Sequence, residues 1–205
     1  MSVSVTYSAS FANITVDQYF TLWSTGFKTA DHNASNTGGF NNGSFDGDQY
    51  AIRGTNGSNY AVIAESETAN GLHYVFNPAL PASNNLNHYL WGELDSVQLG
   101  NGLQGGGGSD YSLSTFAVSF EGLDLSAAQG AGRVGNDVHN VIYSLMQGNT
   151  DALESVLDNL LADYGVSTDS TFAAISSALA AGPSSALAAE AVGVQALPED
   201  LALAA

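Results

Sequence analysis

An α+β fold in a single domain, with α-helices packed on one side of an antiparallel β-sheet, is predicted by three observations. Strand-like segments follow one another from about residue 48 to residue 121 with no helical pattern between them. Gly-rich turns separate these segments, above all the run Gly105–Gly108. After Gly135 the hydrophobic spacing becomes helical and stays so. Strands in direct succession pair antiparallel, and strands followed by helices give an α+β architecture.

Taken in order, Val3, Val5 and Tyr7 alternate with polar residues, as in a strand. Thr15 then caps an amphipathic helix whose face is Val16, Tyr19, Phe20 and Trp23, ending near Gly26. Residues 29–49 are rich in Gly and Asn and read as a long loop, which in a compact domain is usually functional. Strands are predicted at Gln49–Arg53, Asn59–Ala64, Leu72–Phe76, His88–Leu99 and Ser112–Glu121. The segment Asn77–Asn87 is an exposed loop in this reading. Helices follow at Asp137–Gln147, Asp151–Tyr164 and Asp169–Ala181, and Gly182-Pro183 stops the last. The chain of 205 residues divides into one domain at 1–184 and an Ala/Ser-rich tail at 185–205, expected to be poorly ordered or weakly helical.

The hydrophobic fraction of 44% is ordinary, but charged residues are only 11%, against a usual share of about 25%. Net charge is −17, and the only bases are Lys28, Arg53 and Arg133. Three cations cannot track a phosphate backbone or hold an anionic membrane, so no nucleic-acid partner is expected. The strong charge favours a soluble monomer. With no cysteine, disulfides, thiolate metal sites and covalent haem attachment are all excluded. The N-terminus has neither the basic nor the apolar region of a signal peptide, and no stretch of about 20 apolar residues spans a membrane.

Enzyme motifs are missing. The Gly105–Gly108 run lacks the Lys of a phosphate loop, and Asp46 and Asp48 make only half a calcium loop. There is no Gly-x-Ser-x-Gly and no His-Glu-x-x-His, so no enzymatic activity is expected.

The histidines are His32, His73, His88 and His139. Neighbours on a strand, His73 and Tyr74 must point to opposite faces. Tyr74 could be an ordinary strand aromatic. A hairpin between the two strands could also bring His88 beside it. The second arrangement carries chemistry: an imidazole that accepts the phenolic hydrogen bond gives Tyr74 tyrosinate character, and a hard anionic oxygen suits Fe(III). His139, Tyr143 and Met146 stand at i, i+4 and i+7 on one helix. They are either a helix edge packed on the sheet or the wall of a pocket for a flat apolar ligand. Composition by itself also fits a secreted adhesin or surface-layer-like module without a cofactor.

Several stretches together are more specific. They are Met-Ser-Val-Ser-Val-Thr-Tyr-Ser at the start, Ser35-Asn-Thr-Gly-Gly-Phe-Asn41, Phe45-Asp-Gly-Asp-Gln-Tyr50 and Leu72-His-Tyr74. Further on come Leu90-Trp-Gly-Glu-Leu-Asp-Ser96, Val138-His-Asn-Val-Ile-Tyr-Ser-Leu-Met-Gln-Gly148 and Leu197-Pro-Glu-Asp-Leu-Ala-Leu-Ala-Ala205. Across almost the whole chain the sequence resembles the HasA haemophores of Gram-negative bacteria. The resemblance implies a curved sheet with helices on one side and ferric haem b held non-covalently between two loops. It implies an axial His at position 32 and an axial Tyr at position 74, so that His32 and Tyr74 are the metal ligands. His88 would hydrogen-bond that Tyr, and His139, Tyr143 and Met146 would approach the pocket. It further implies haemoglobin as a haem source, a TonB-dependent outer-membrane haem receptor as partner, and export to the extracellular space by ABC-type machinery that reads the C-terminal tail. Relative to other members, the stretch from His32 to Ser35 is shortened and Asn77–Asn87 is lengthened.

Overall fold

The computed structural model describes residues 3–29 and 38–183. Its strands are β1 (Ser4–Tyr7), β2 (Gly39–Phe40), β3 (Asp46–Gly47), β4 (Gln49–Arg53), β5 (Tyr60–Glu65), β6 (Leu72–Phe76), β7 (His88–Gln104) and β8 (Ser112–Ala127). Its helices are α1 (Val16–Phe27), α2 (Asp137–Met146), α3 (Asp151–Leu161) and α4 (Phe172–Ala181). The His32 position and the 185–205 tail lie outside the described residues. Among the described residues, no helix is long and apolar enough to cross a membrane.

The eight strands form one antiparallel sheet in the order β1-β8-β7-β5-β4-β2, with β6 pairing β3 and β7 off that path. Strand β7 is the organising element. Its first residues, His88 to Gly92, pair with β6, and Ser96 to Asn101 pair with β5. Two short strands thus line up end to end along one edge of a long one. Both long strands outrun the predicted ends, because the glycines that read as turn signals sit inside them. Gly100 and Gly122 fall at or beside the two register irregularities between β7 and β8.

Those irregularities decide what is buried. A strand alternates its faces every residue, so a shift by one reverses the alternation. Leu90 and Leu94 face the core before the irregularity at Leu94/Ser96, and Val97 and Leu99 face the same core after it. On β8 the same switch separates Val118 and Phe120 from Leu123. Each long strand thereby keeps its apolar residues on the helix side while bending.

Helix α1 starts where Thr15 accepts from the Gln18 N–H at 3.1 Å and Gln18 Oε1 accepts from the Thr15 N–H at 3.0 Å. This reciprocal cap satisfies two otherwise orphaned donors. Its buried face is Val16, Tyr19, Phe20, Trp23 and Phe27, and it closes with Lys28 in the left-handed region. Helix α4 begins at Phe172 and not at Asp169, because Thr171 supplies the cap that accepts from the Ala174 N–H. It packs beside β1, with the Tyr7 and Phe172 rings 5.1 Å apart. All four helices contribute to the same buried cluster as the inner sheet face. The 29–49 region is not wholly irregular: β2 and β3 lie within it, held by β4 and β6.

Candidate functional site

Tyr74 stands in register with Leu90, and His88 lies two residues along β7 from that partner. Diagonal neighbours of an antiparallel pair share a face and lie within reach of aromatic side chains. The two rings are 6.5 Å apart, tilted by 54°. His73 takes the other face, where its ring stacks on Trp91 at 4.1 Å and its Nε2 lies 2.6 Å from the Asn70 carbonyl. The outward half of the His73/Tyr74 pair is therefore His73.

Tyr74 is fixed from the side as well. Its backbone N–H donates to the Phe45 carbonyl at 2.7 Å, and the Phe45 ring tilts against the phenol at 5.8 Å. Phe45 is 66% exposed, an aromatic held at the rim of a cleft. Burial pushes the Tyr74 hydroxyl above the ordinary phenol range.

Helix α2 supplies the opposite wall. Asn136 caps it by accepting from the His139 N–H at 2.9 Å, which sets the helix phase so that His139, Tyr143 and Met146 all line the cleft. His139 and Tyr143 stack at 5.2 Å with an interplanar angle of 17°. Nδ1 of His139 accepts from the Leu90 N–H at 3.3 Å. Desolvation, with smaller contributions from Arg133 and His88, lowers the His139 pKa to about 4. The ring is neutral at physiological pH with its proton on Nε2.

Five of the six residues singled out from the sequence therefore line one cleft, and the sixth, His32, lies outside the described residues. Sequence reasoning missed Gly38, Gly39, Phe40, Ser44, Phe45, Tyr50 and Leu90, which complete it. Tyr50 was the most legible of these. It follows Phe45-Asp-Gly-Asp-Gln, and its hydroxyl donates to the Met146 sulfur at 3.5 Å. Burial pushes the Tyr50 hydroxyl well up, so it is a fixed neutral donor. Among the described residues, no group of three or more His, Asp or Glu is placed to hold a metal ion.

The cleft is an apolar, aromatic-walled slot lined by three phenols and two imidazoles. A flat apolar ligand that carries a hard cation is the chemistry such a slot fits.

Comparison with known proteins bears on this directly. Residues 1–205 match the family described as Heme-binding protein A (HasA). The chain belongs to the HasA family. It is 41% identical over 187 residues to the Hemophore HasA of Serratia marcescens, covering 89% of this chain and 94% of that protein. The holo hemophore HasA of Yersinia pestis superposes with a TM-score of 0.66 at 25% identity, covering 84% of this chain and 94% of that one. The tetragonal apo form of the Yersinia pestis hemophore HasA gives a TM-score of 0.65 at 26% identity, with coverage of 84% and 92%. The α+β fold is that of the HasA structures. HasA proteins are haem carriers, and this member is accordingly a carrier and not an enzyme.

Proposed function

We propose that this protein is an extracellular haemophore that captures ferric haem b without covalent attachment. One observation carries the reading furthest. Tyr74 is placed at the edge of an aromatic cleft with the ring of His88 beside it.

The residues fit the ligand. Phe45, Leu90, Tyr143 and Met146 offer an apolar wall to the macrocycle. Haem brings an Fe(III) Lewis acid, and Tyr74 brings the hard oxygen such an ion prefers. The cleft itself opposes this, since burial favours the neutral phenol. The cation would offset the opposition, and the His88 ring beside the phenol is the neighbouring polar group that could assist. His32 would be the second residue to hold the iron.

Of the three cations, Lys28 closes α1 and does not line the cleft, Arg53 donates to the Leu103 carbonyl at 2.8 Å, and Arg133 is engaged by carbonyls and an imidazole. The propionates are accordingly assigned to solvent, and affinity to Tyr74 and apolar burial. The captured haem, taken free or from haemoglobin, passes to a TonB-dependent outer-membrane receptor. Export uses the 185–205 tail and an ABC-type transporter.

The test is a titration of the full chain with ferric haem, followed by its optical spectrum, for wild type, Tyr74→Ala and His32→Ala. A saturable, shifted Soret band that collapses in Tyr74→Ala supports the reading. The His32→Ala spectrum reports the second axial ligand. No saturable change in wild type overturns the proposal.

A further inference from the structure

We propose that Arg133 is a positioning residue for this cleft: it holds the His88 imidazole by Nε2 and so fixes that ring's proton on Nδ1. Its bearing on haem rests on the reading above, but the tautomer itself does not.

Arg133 lies in the turn between β8 and α2, 45 residues from His88. Its Nη1 is 3.4 Å from Nε2 of His88. A guanidinium offers five N–H donors and no acceptor. Nε2 must therefore supply the lone pair, and the neutral ring carries its proton on Nδ1.

The guanidinium is not free to choose another pose. Nη2 donates to the carbonyls of Ala82 at 3.0 Å and Asn84 at 2.7 Å. The Arg133 backbone N–H donates to Oδ1 of Asn85 at 2.6 Å. A rigid planar fork anchored to two carbonyls meets the imidazole from one direction only. The long loop before β7 is thereby fastened to the turn before α2, and His88 is fastened to both.

The second imidazole of the cleft has the opposite arrangement. His139 accepts at Nδ1 from the Leu90 N–H, so its proton is on Nε2. Two histidines facing one slot are locked in opposite tautomers by different donors.

This changes the part His88 plays. The sequence suggests an imidazole that accepts the phenolic hydrogen. With Nε2 taken by Arg133, whatever His88 offers to Tyr74 it offers as a donor. A donor to the phenolic oxygen favours the ionised form over the neutral one.

The experiment uses the full chain, uniformly labelled with nitrogen-15, without haem, at neutral pH. Long-range proton–nitrogen correlation assigns each imidazole tautomer. His88 is expected with a protonated Nδ1 and a bare Nε2, and His139 with the reverse as an internal reference. In Arg133→Met the His88 pattern should revert towards a protonated Nε2 while His139 keeps its own. Arg133→Lys, also a pure donor, should retain the wild-type pattern.

A wild-type His88 protonated on Nε2 overturns the proposal, as does an unchanged pattern in Arg133→Met. Should Arg133→Met fail to fold, the wild-type spectrum still decides. With ferric haem bound, loss to an apo-globin acceptor should be about tenfold faster from Arg133→Met than from wild type, a change of about 1.4 kcal/mol. Equal rates overturn the positioning role. A wild type that takes up no haem sinks the haemophore reading and leaves the tautomer assignment standing.

Discussion

The backbone N–H of Leu90 donates to Nδ1 of His139 at 3.3 Å, a strand bonded at its edge to a helix side chain. The side-chain amide of Asn136 donates to the Leu90 carbonyl at 2.8 Å. Strand β8 pairs with β7 only from Gly92 onward, so His88 to Trp91 run beyond it. Where β8 stops, two side chains from the start of α2 take over both polar groups of Leu90.

Acid should weaken this arrangement. The pKa of His139 is about 4 in the fold, against 6.5 for an ordinary histidine. The unfolded chain therefore binds the proton first as pH falls. The stability tied to a neutral His139 is complete above pH 6.5 and is lost progressively towards pH 4, by about 3 kcal/mol. Urea unfolding at several pH values in this window, for wild type and His139→Gln, checks it. Parallel pH dependences would contradict the assignment.

Asn136→Ala removes the α2 cap and the bonds to the Leu90 and Gly132 carbonyls together. Buried polar groups left unpaired cost about 1–3 kcal/mol each, and a lost cap about 1. A loss of about 3 kcal/mol is expected by urea denaturation. A change below about 1 kcal/mol would mean that water replaces the amide.

Gly92 sits at φ +113, and a Cβ there would run into the Gly71 carbonyl, to which Glu93 donates at 3.0 Å. Gly92→Ala should cost about 3 kcal/mol, from the left-handed backbone and the clash together. Because β6 must shift to relieve it, haem affinity should fall as well. An unchanged melting midpoint would show that the backbone adapts without cost.

Tyr74→Phe keeps the ring and deletes the oxygen. Stability should stay within about 1 kcal/mol of wild type, since the half-buried phenol sits at the edge of the core. Haem transfer to an apo-globin acceptor should accelerate at least about 100-fold, the equivalent of about 2.7 kcal/mol. Transfer at the wild-type rate would place the ligand elsewhere.

Much of this was legible in the chain, and the remainder was hidden for definite reasons. Strands β4 and β6 match the predicted Gln49–Arg53 and Leu72–Phe76 because alternation and turn signals agree there. Tyr74 and His88 could be paired because strand parity and a hairpin suffice to put them on one face. The ends of β7 and β8 were hidden, since Gly100 and Gly122 mark irregularities inside strands, which a sequence writes in the same letters as turns. The sequence pattern makes the loop before β7 an exposed one. Asn87 within it is buried, its amide donating to the Asn77 and Leu80 carbonyls. The Arg133 fastening joins residues 45 to 51 positions apart, mainly through carbonyls, and carbonyls carry no sequence signal.

The overhang of β7 has one further consequence. Unpaired strand edges are templates for another chain, and proteins usually block them by topology or by charge. Here the blockade at Leu90 is a titratable imidazole and an amide. Helix α2 covers this edge, and the bond that satisfies the Leu90 N–H lasts only while His139 stays neutral. When the imidazole takes up a proton, the buried Leu90 N–H loses its acceptor. The first loosening of this protein in acid should begin at that residue, where α2 meets β7 beside the cleft.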